Sequence, residues 1–202
     1  MTVKLDFSCM VLAGGKGSRL GSNKLLKTVG EKNLLEHVIG VIDSFNKEII
    51  LVSAREQSLP QVTYISKLRI VHDIHPGKGV LGGLYTGLVA SKSFYNLVVA
   101  SDMPFLNRKL LSYMIQCAEG FDAVIPRLGN MVEPVHSIYS KNCIGPIEGL
   151  LKKDILKISD LFPLIKIKYI ETEEIERFDP QHLSIFNINT ASDLERAREL
   201  AR

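Results

Sequence analysis

Long apolar runs are the first thing this sequence lacks. No stretch approaches the roughly 18 consecutive apolar residues of a membrane-spanning helix, and the N-terminus has no signal-like hydrophobic segment. A membrane partner and an exported location are therefore not expected. Dense basic clusters are missing too. Lys and Arg are spread along the chain and the formal net charge is only +3, whereas a nucleic-acid partner calls for a concentrated cationic face. Cysteine is scarce: Cys9, Cys117 and Cys143 are odd in number and never in CxxC spacing. That excludes a disulfide framework and a zinc ribbon, and it suits the reduced thiols of a cytoplasmic protein. Internal repeats, low-complexity tracts and long linkers are also absent. What remains is a chain of 202 residues, 46% hydrophobic and 23% charged, enough for one domain with a full core.

Strand and helix patterns alternate along that chain. Phe7–Leu12, Glu48–Ser53, Arg69–Asp73, Asn96–Ser101 and Asp122–Pro126 are short apolar runs of strand type. Leu34–Phe45, Leu81–Ser91, Arg108–Ala118 and Ala191–Ala201 have helical periodicity, and Gly145–Lys153 and Lys157–Phe162 also read as helical. Pro134–Tyr139 is expected to run antiparallel, and Ile165–Ile170 and Ser184–Ile188 are expected as further strands. The pattern predicts an α/β, Rossmann-like three-layer sandwich, a mostly parallel sheet with helices on both faces. Right-handed crossovers then gather the loops after the strands along one edge.

The richest of those loops is the first. After Phe7–Leu12 comes Ala13-Gly14-Gly15-Lys16-Gly17-Ser18-Arg19-Leu20-Gly21-Ser22-Asn23-Lys24. Glycines permit close backbone approach and turn N–H groups inward, while Lys16, Arg19 and Lys24 supply charge for phosphate oxygens. The loop is a phosphate cradle of neither standard kind. It lacks the Gly-Lys-Ser/Thr ending of a P-loop and the third glycine of the dinucleotide fingerprint.

Asp102 ends the other informative run. It follows Asn96-Leu97-Val98-Val99-Ala100-Ser101, which reads as a central strand buried on both faces. A carboxylate there costs several kcal/mol unless its charge is compensated. A Mg²⁺ on triphosphate oxygens would compensate it; so would a helix N-cap or a salt bridge to Lys24 or Arg19. Asp73, at the end of the third strand, is by position alone a candidate turn or cap residue. His72, His75 and His136 lack tight ligand spacing, and a lone strand histidine is more often a core residue.

Leu12-Ala13-Gly14-Gly15-x-Gly17-x-Arg19-Leu20-Gly21-x-x-Lys24 resembles the signature of the nucleotidyltransferases that activate small molecules with nucleoside triphosphates. Its spelling is most similar to that of the molybdenum cofactor guanylyltransferases. The resemblance runs from Met10 to about Leu194 and implies the nucleotide-diphospho-sugar transferase type of fold. It assigns residues 1–120 to the nucleotide and 121–202 to the acceptor. Asp102-Met103-Pro104 resembles the family's metal-binding motif, which implies Mg²⁺ as cofactor and Asp102 as its ligand. Lys24 and Arg19 become, with Asp102, the catalytic residues that stabilise charge on the transferring phosphate. Leu12, Ala13 and Gly14 would offer backbone groups to a purine edge. Gly15, Lys24, Asp73, Gly82 and Asp102 complete the nucleotide site. Glu133-Pro134-Val135-His136 and Asn187-Ile188-Asn189-Thr190 resemble segments on the acceptor side, where Glu133, His136, Asn187 and Asn189 are the candidates. Asn187 can reach the metal or pin a turn, and Thr190 with Asp193 forms a capping box for the last helix. This chain departs from the family at Val80, where proline is usual, and at Asn23, where an aspartate often precedes the lysine. The implied reaction transfers GMP from GTP to a molybdopterin-type cofactor, with molybdoenzymes or cofactor-insertion proteins as partners. A cytidylyl- or sugar-1-phosphate nucleotidyltransferase on the same fold, or a nucleotide-binding regulator without turnover, are the alternatives.

Overall fold

The computed structural model describes residues 5–13, 24–55, 57–60 and 67–201. Gly14, Gly15 and Arg19, three of the expected site residues, lie outside the described residues. The elements follow the alternation of the sequence. Strand β1 (Phe7–Leu12) is followed by a two-stranded hairpin, β2 (Thr28–Val29) and β3 (Lys32–Asn33), then α1 (Leu34–Asp43), β4 (Ile49–Ser53) and β5 (Leu68–His72). Next come α2 (Gly79–Ala90), β6 (Tyr95–Ala100), α3 (Arg108–Gln116), β7 (Ala123–Leu128), β8 (Met131–Val132) and β9 (His136–Ser140). The chain closes with α4 (Ile144–Lys152), β10 (Ile167–Ile170), α5 (Thr172–Glu176) and α6 (Ala191–Leu200).

The main sheet has the order β10-β7-β9-β6-β1-β4-β5, with β8 paired to β7. β1 pairs in parallel with β4 and β6, β4 with β5, and β7 with β10. β9 runs antiparallel between β6 and β7, as expected from the Pro134–Tyr139 segment. The sheet is thus mostly parallel with helices on both faces. β1 is buried at every position, and its side chains alternate between the two cores, as a strand's period of two requires. Cys9 and Val11 join Leu35, Ile39, Leu97, Val99 and Met114 on one face. Met10 and Leu12 join Ile50, Leu81, Leu84, Val98 and Ile147 on the other. Helix α2 lies so close to β1 that a Cβ on Gly87 would fall 2.2 Å from the Met10 sulfur. Cys9 and Cys143 are buried thiols and Cys117 is half-buried. No helix among the described residues is long and apolar enough to cross a membrane.

Two expected elements differ. Lys157–Phe162 is a 3₁₀ turn, Ile158–Leu164, with Pro163 inside it. Proline there has no N–H to continue an α-helical ladder. Ser184–Ile188 is not a strand. Leu183–Ile185 forms a short 3₁₀ turn and the following residues run as an unpaired strap into α6. The cause is Asp179, whose carboxylate accepts the N–H groups of Leu183 and Ser184 at 3.1 and 2.7 Å and the Ser184 hydroxyl at 2.6 Å. Those bonds curl the backbone away from any sheet ladder.

Candidate active site

Asp102 lies two residues beyond β6, at the edge of the sheet where β1, β4 and β5 also end. Its turn is held from three directions. Ala100 donates its N–H to the Val135 carbonyl at 2.9 Å, Ser101 to Leu12 at 3.2 Å, and Ile188 to the carbonyl of Asp102 at 3.0 Å. Lys24 opens a 3₁₀ turn anchored by the buried Leu25. Its ammonium Nζ is 2.5 Å from Asp102 Oδ2 and 3.1 Å from Asn189 Oδ1. The two paired side chains are only 17% and 18% exposed, so this ion pair is screened far less than a surface one. The second carboxylate oxygen, Asp102 Oδ1, is buried with no hydrogen-bond partner among the described residues. Leaving such an acceptor unpaired costs about 1–3 kcal/mol, more for a charged group. Of the alternatives open at Asp102, the ion pair to Lys24 is present, yet it uses only one of the two oxygens.

Beside this pair, Asn187 donates Nδ2 to Glu133 Oε2 at 2.9 Å and to the Ile185 carbonyl at 3.3 Å. Glu133 also accepts the Val135 N–H at 3.4 Å. Burial pushes the Glu133 carboxyl above its usual range against the bonds from Val135 and Asn187, and the charge of Asp102 adds to the rise. Glu133, Asn187 and His182 are the polar groups lining a cleft of about 340 Å³ whose other walls are Pro126, Leu128, Met131, Val132, Ile185 and Phe186. Asn189 belongs to the Lys24–Asp102 group instead. Asn187 pins its turn and holds Glu133, and it makes no bond to Asp102.

His136 stands apart from the cleft. It is wholly buried on β9, and neither ring nitrogen has a hydrogen-bond partner among the described residues. Burial lowers its pKa to about 4, against the opposing charge of Asp179. It is a neutral core residue, the alternative that its position in a strand favoured.

Asp73 serves a turn. Its Oδ1 accepts the His75 N–H and the Thr86 hydroxyl, each at 2.9 Å, and its N–H bonds Ser53 O at 2.9 Å. These bonds press the 74–78 loop onto α2, where a Cβ on Gly82 would sit 2.8 Å from the His75 carbonyl oxygen. Gly82 is therefore required by packing, whatever else binds there. Leu12 and Ala13 already have backbone groups engaged within the protein. The Leu12 carbonyl accepts Ser101 N–H at 3.2 Å, Ala13 donates to Val52 O at 2.9 Å, and Gln57 Nε2 donates to the Ala13 carbonyl at 2.7 Å.

A family model described as the MobA-like NTP transferase domain matches residues 9–162, which include most of β1, Lys24, Asp102 and Glu133. The chain belongs to the MobA-like NTP transferase family. Among its relatives, a probable molybdenum cofactor guanylyltransferase from Pelotomaculum thermopropionicum is 35% identical, over 98% of this chain and 94% of the relative. A protein of the same description from Peptoclostridium acidaminophilum is 32% identical, over 98% and 91% of the two chains. The crystal structure of molybdopterin-guanine dinucleotide biosynthesis protein A from Archaeoglobus fulgidus superimposes with a TM-score of 0.83 at 28% identity, covering 96% and 97% of the two chains.

The family is one of nucleotidyltransferases, and the geometry suits such chemistry. Among the described residues no three His, Cys, Asp or Glu side chains cluster as a metal cage. Mg²⁺ does not ask for one: it is commonly held by one or two protein oxygens, with phosphate and water completing an octahedron. Asp102 Oδ1 fits that role, and Asn189 Oδ1 is the neighbouring neutral oxygen. Sequence reasoning missed two things here. Asn189 sits with the cation, and Gln57 touches the first loop. The N-x-N spacing marks Asn189 as a candidate without saying which neighbour it meets, and no pattern marks Gln57.

Proposed function

We propose that this protein transfers GMP from GTP to the terminal phosphate of a molybdopterin-type cofactor, releasing pyrophosphate. The observation that carries the reading is the Lys24–Asp102 pair, with Asp102 Oδ1 buried and unpartnered beside it. In the reaction an oxygen of the acceptor phosphate bonds to the α-phosphorus of GTP while the bond from that phosphorus to the bridging oxygen breaks. Negative charge spreads over the transferring oxygens and the leaving pyrophosphate. Bound at Asp102, Mg²⁺ would supply charge neutralisation for the triphosphate. Lys24 is already oriented by Asp102 and Asn189, so its ammonium offers charge-assisted bonds with little reorganisation. Arg19 adds a second cation in this reading. The Glu133–Asn187 cleft takes the acceptor. Its apolar walls suit a flat heterocycle, and the carboxylate suits the ring's N–H donors.

The relatives' names agree with this acceptor, and their match extends over nearly the whole chain. We place the reaction in the cytoplasm, consistent with the three unpaired thiols, and expect the product to pass to cofactor-insertion proteins or molybdoenzymes. The test is pyrophosphate release from GTP in the presence of Mg²⁺, with and without the molybdopterin cofactor. Release that needs the cofactor and yields its guanine dinucleotide supports the reading. GTP binding without any release assigns the protein to the nucleotide-binding regulators instead.

A further inference from the structure

We infer that Gln57 selects the base of the nucleotide, an assignment that rests on the proposed use of GTP. The backbone groups at the end of β1 are already engaged: the Leu12 carbonyl by Ser101, the Ala13 N–H by Val52, and the Ala13 carbonyl by Gln57. The side chain attached to Ala13 adds a hydrogen-bonding group to the described end of this stretch. A carbonyl oxygen accepts and never donates, so its partner on Gln57 has to be the amide nitrogen. This fixes the sense of the amide: Nε2 faces Ala13, and Oε1 is left as the acceptor. The side chain is half-buried, and the Gln57 N–H bonds the Ala54 carbonyl at 3.2 Å, holding the residue at the edge where β4 ends.

An acceptor at this place discriminates among bases. Guanine presents adjacent N–H donors at N1 and the 2-amino group, whereas adenine and cytosine present an acceptor nitrogen at the corresponding point. A wrong base would leave two acceptors opposed, which is how a site of this kind becomes selective. Inosine keeps the N1–H and lacks the 2-amino group, which makes it the diagnostic analogue.

The experiment is calorimetric binding of GTP, ITP and ATP with Mg²⁺ to the wild-type protein and to Gln57→Met and Gln57→Ala, with thermal unfolding of each variant. In both variants the preference for GTP over ATP is expected to fall about tenfold, the factor one ordinary hydrogen bond supplies. If the preference over ITP falls as well, the bond goes to the 2-amino group; if it does not, the bond goes to N1–H. A residue that merely pinned the Ala13 loop would weaken all three nucleotides together and leave the ratios unchanged. Unchanged ratios in a wild-type background that prefers GTP overturn the assignment of Gln57 alone. A wild-type protein that does not prefer GTP overturns the proposed function, and this assignment with it.

Discussion

Asp102 and Asp179 are both aspartates in turns, both largely out of water, and they do opposite things. Asp179 meets all its partners within five residues of itself, the backbone and hydroxyl of Ser184 and the N–H of Leu183. Its carboxylate is consumed in folding one turn. Asp102 finds its cation 78 residues away in the chain, at Lys24, and keeps its other oxygen buried without a partner among the described residues. A carboxylate satisfied locally builds structure. One held by a distant cation keeps an oxygen free of the described residues, which is why the proposed reading places a ligand there. The histidines near these groups divide the same way, with His136 sealed in the core beside Asp179 and none joining Asp102.

Substitutions can break or sharpen this contrast. The largest effect is expected from Asp102→Ala, which should lower Mg²⁺-dependent pyrophosphate release by about 10³-fold or more with little loss of thermal stability. Lys24→Ala should cost roughly 10²–10³ in turnover, the range of a lost transition-state contact, measured in the same assay. Asp179→Ala should reverse the balance. Urea unfolding should show a loss of about 2–4 kcal/mol, because two backbone donors and a hydroxyl lose their acceptor, while the folded fraction keeps its turnover. An Asp179 variant as inactive as Asp102→Ala and equally stable would erase the distinction.

The smallest effect belongs to His136 and appears only in acid. It is neutral when folded, with a pKa lowered to about 4 from 6.5. Below pH 6.5 the unfolded chain binds a proton that the folded chain does not. Stability should therefore fall as pH drops from 6.5 toward 4, and stay level with respect to this group above 6.5. His136→Leu should flatten that slope in unfolding curves taken across the interval. An unchanged slope would mean that other groups govern it.

The sequence disclosed the scaffold well where burial was two-sided. β1, β4 and β6 read as strands because their apolar runs are central in the sheet, and Thr190 completes the capping box with Asp193 that its spacing suggested; the matching box of Asn33 with Glu36 was not read from the sequence. The β2–β3 hairpin was not legible: its strands have two residues each, and its turn rests on Gly30 at φ 60°. Ser184–Ile188 looked like a strand because Ile185, Phe186 and Ile188 are apolar, but Asp179 competes for its backbone. In the site, Lys24 and Asp102 stood out by motif, and so did the Glu133 and Asn187 segments. The Lys24–Asp102 ion pair was among the alternatives open at Asp102; the Lys24–Asn189 and Asn187–Glu133 pairings were not legible. Whether Asn187 or Asn189 meets Lys24, and whether His136 faces the cleft or the core, depends on packing between segments far apart in sequence. Gln57 carries no local signal, since a lone polar residue in a loop resembles any solvated one.

In the proposed reading Asp102 and Lys24 bind a Mg²⁺-bound guanine nucleotide. Its most direct test is calorimetric titration of wild-type protein and Asp102→Ala with GTP, CTP, ATP and UTP, each with and without Mg²⁺. Selective GTP binding that Mg²⁺ strengthens is expected in the wild type, with the Mg²⁺ dependence lost in the variant. Equal binding of all four nucleotides, or GTP binding that is the same in both proteins and indifferent to Mg²⁺, would contradict it.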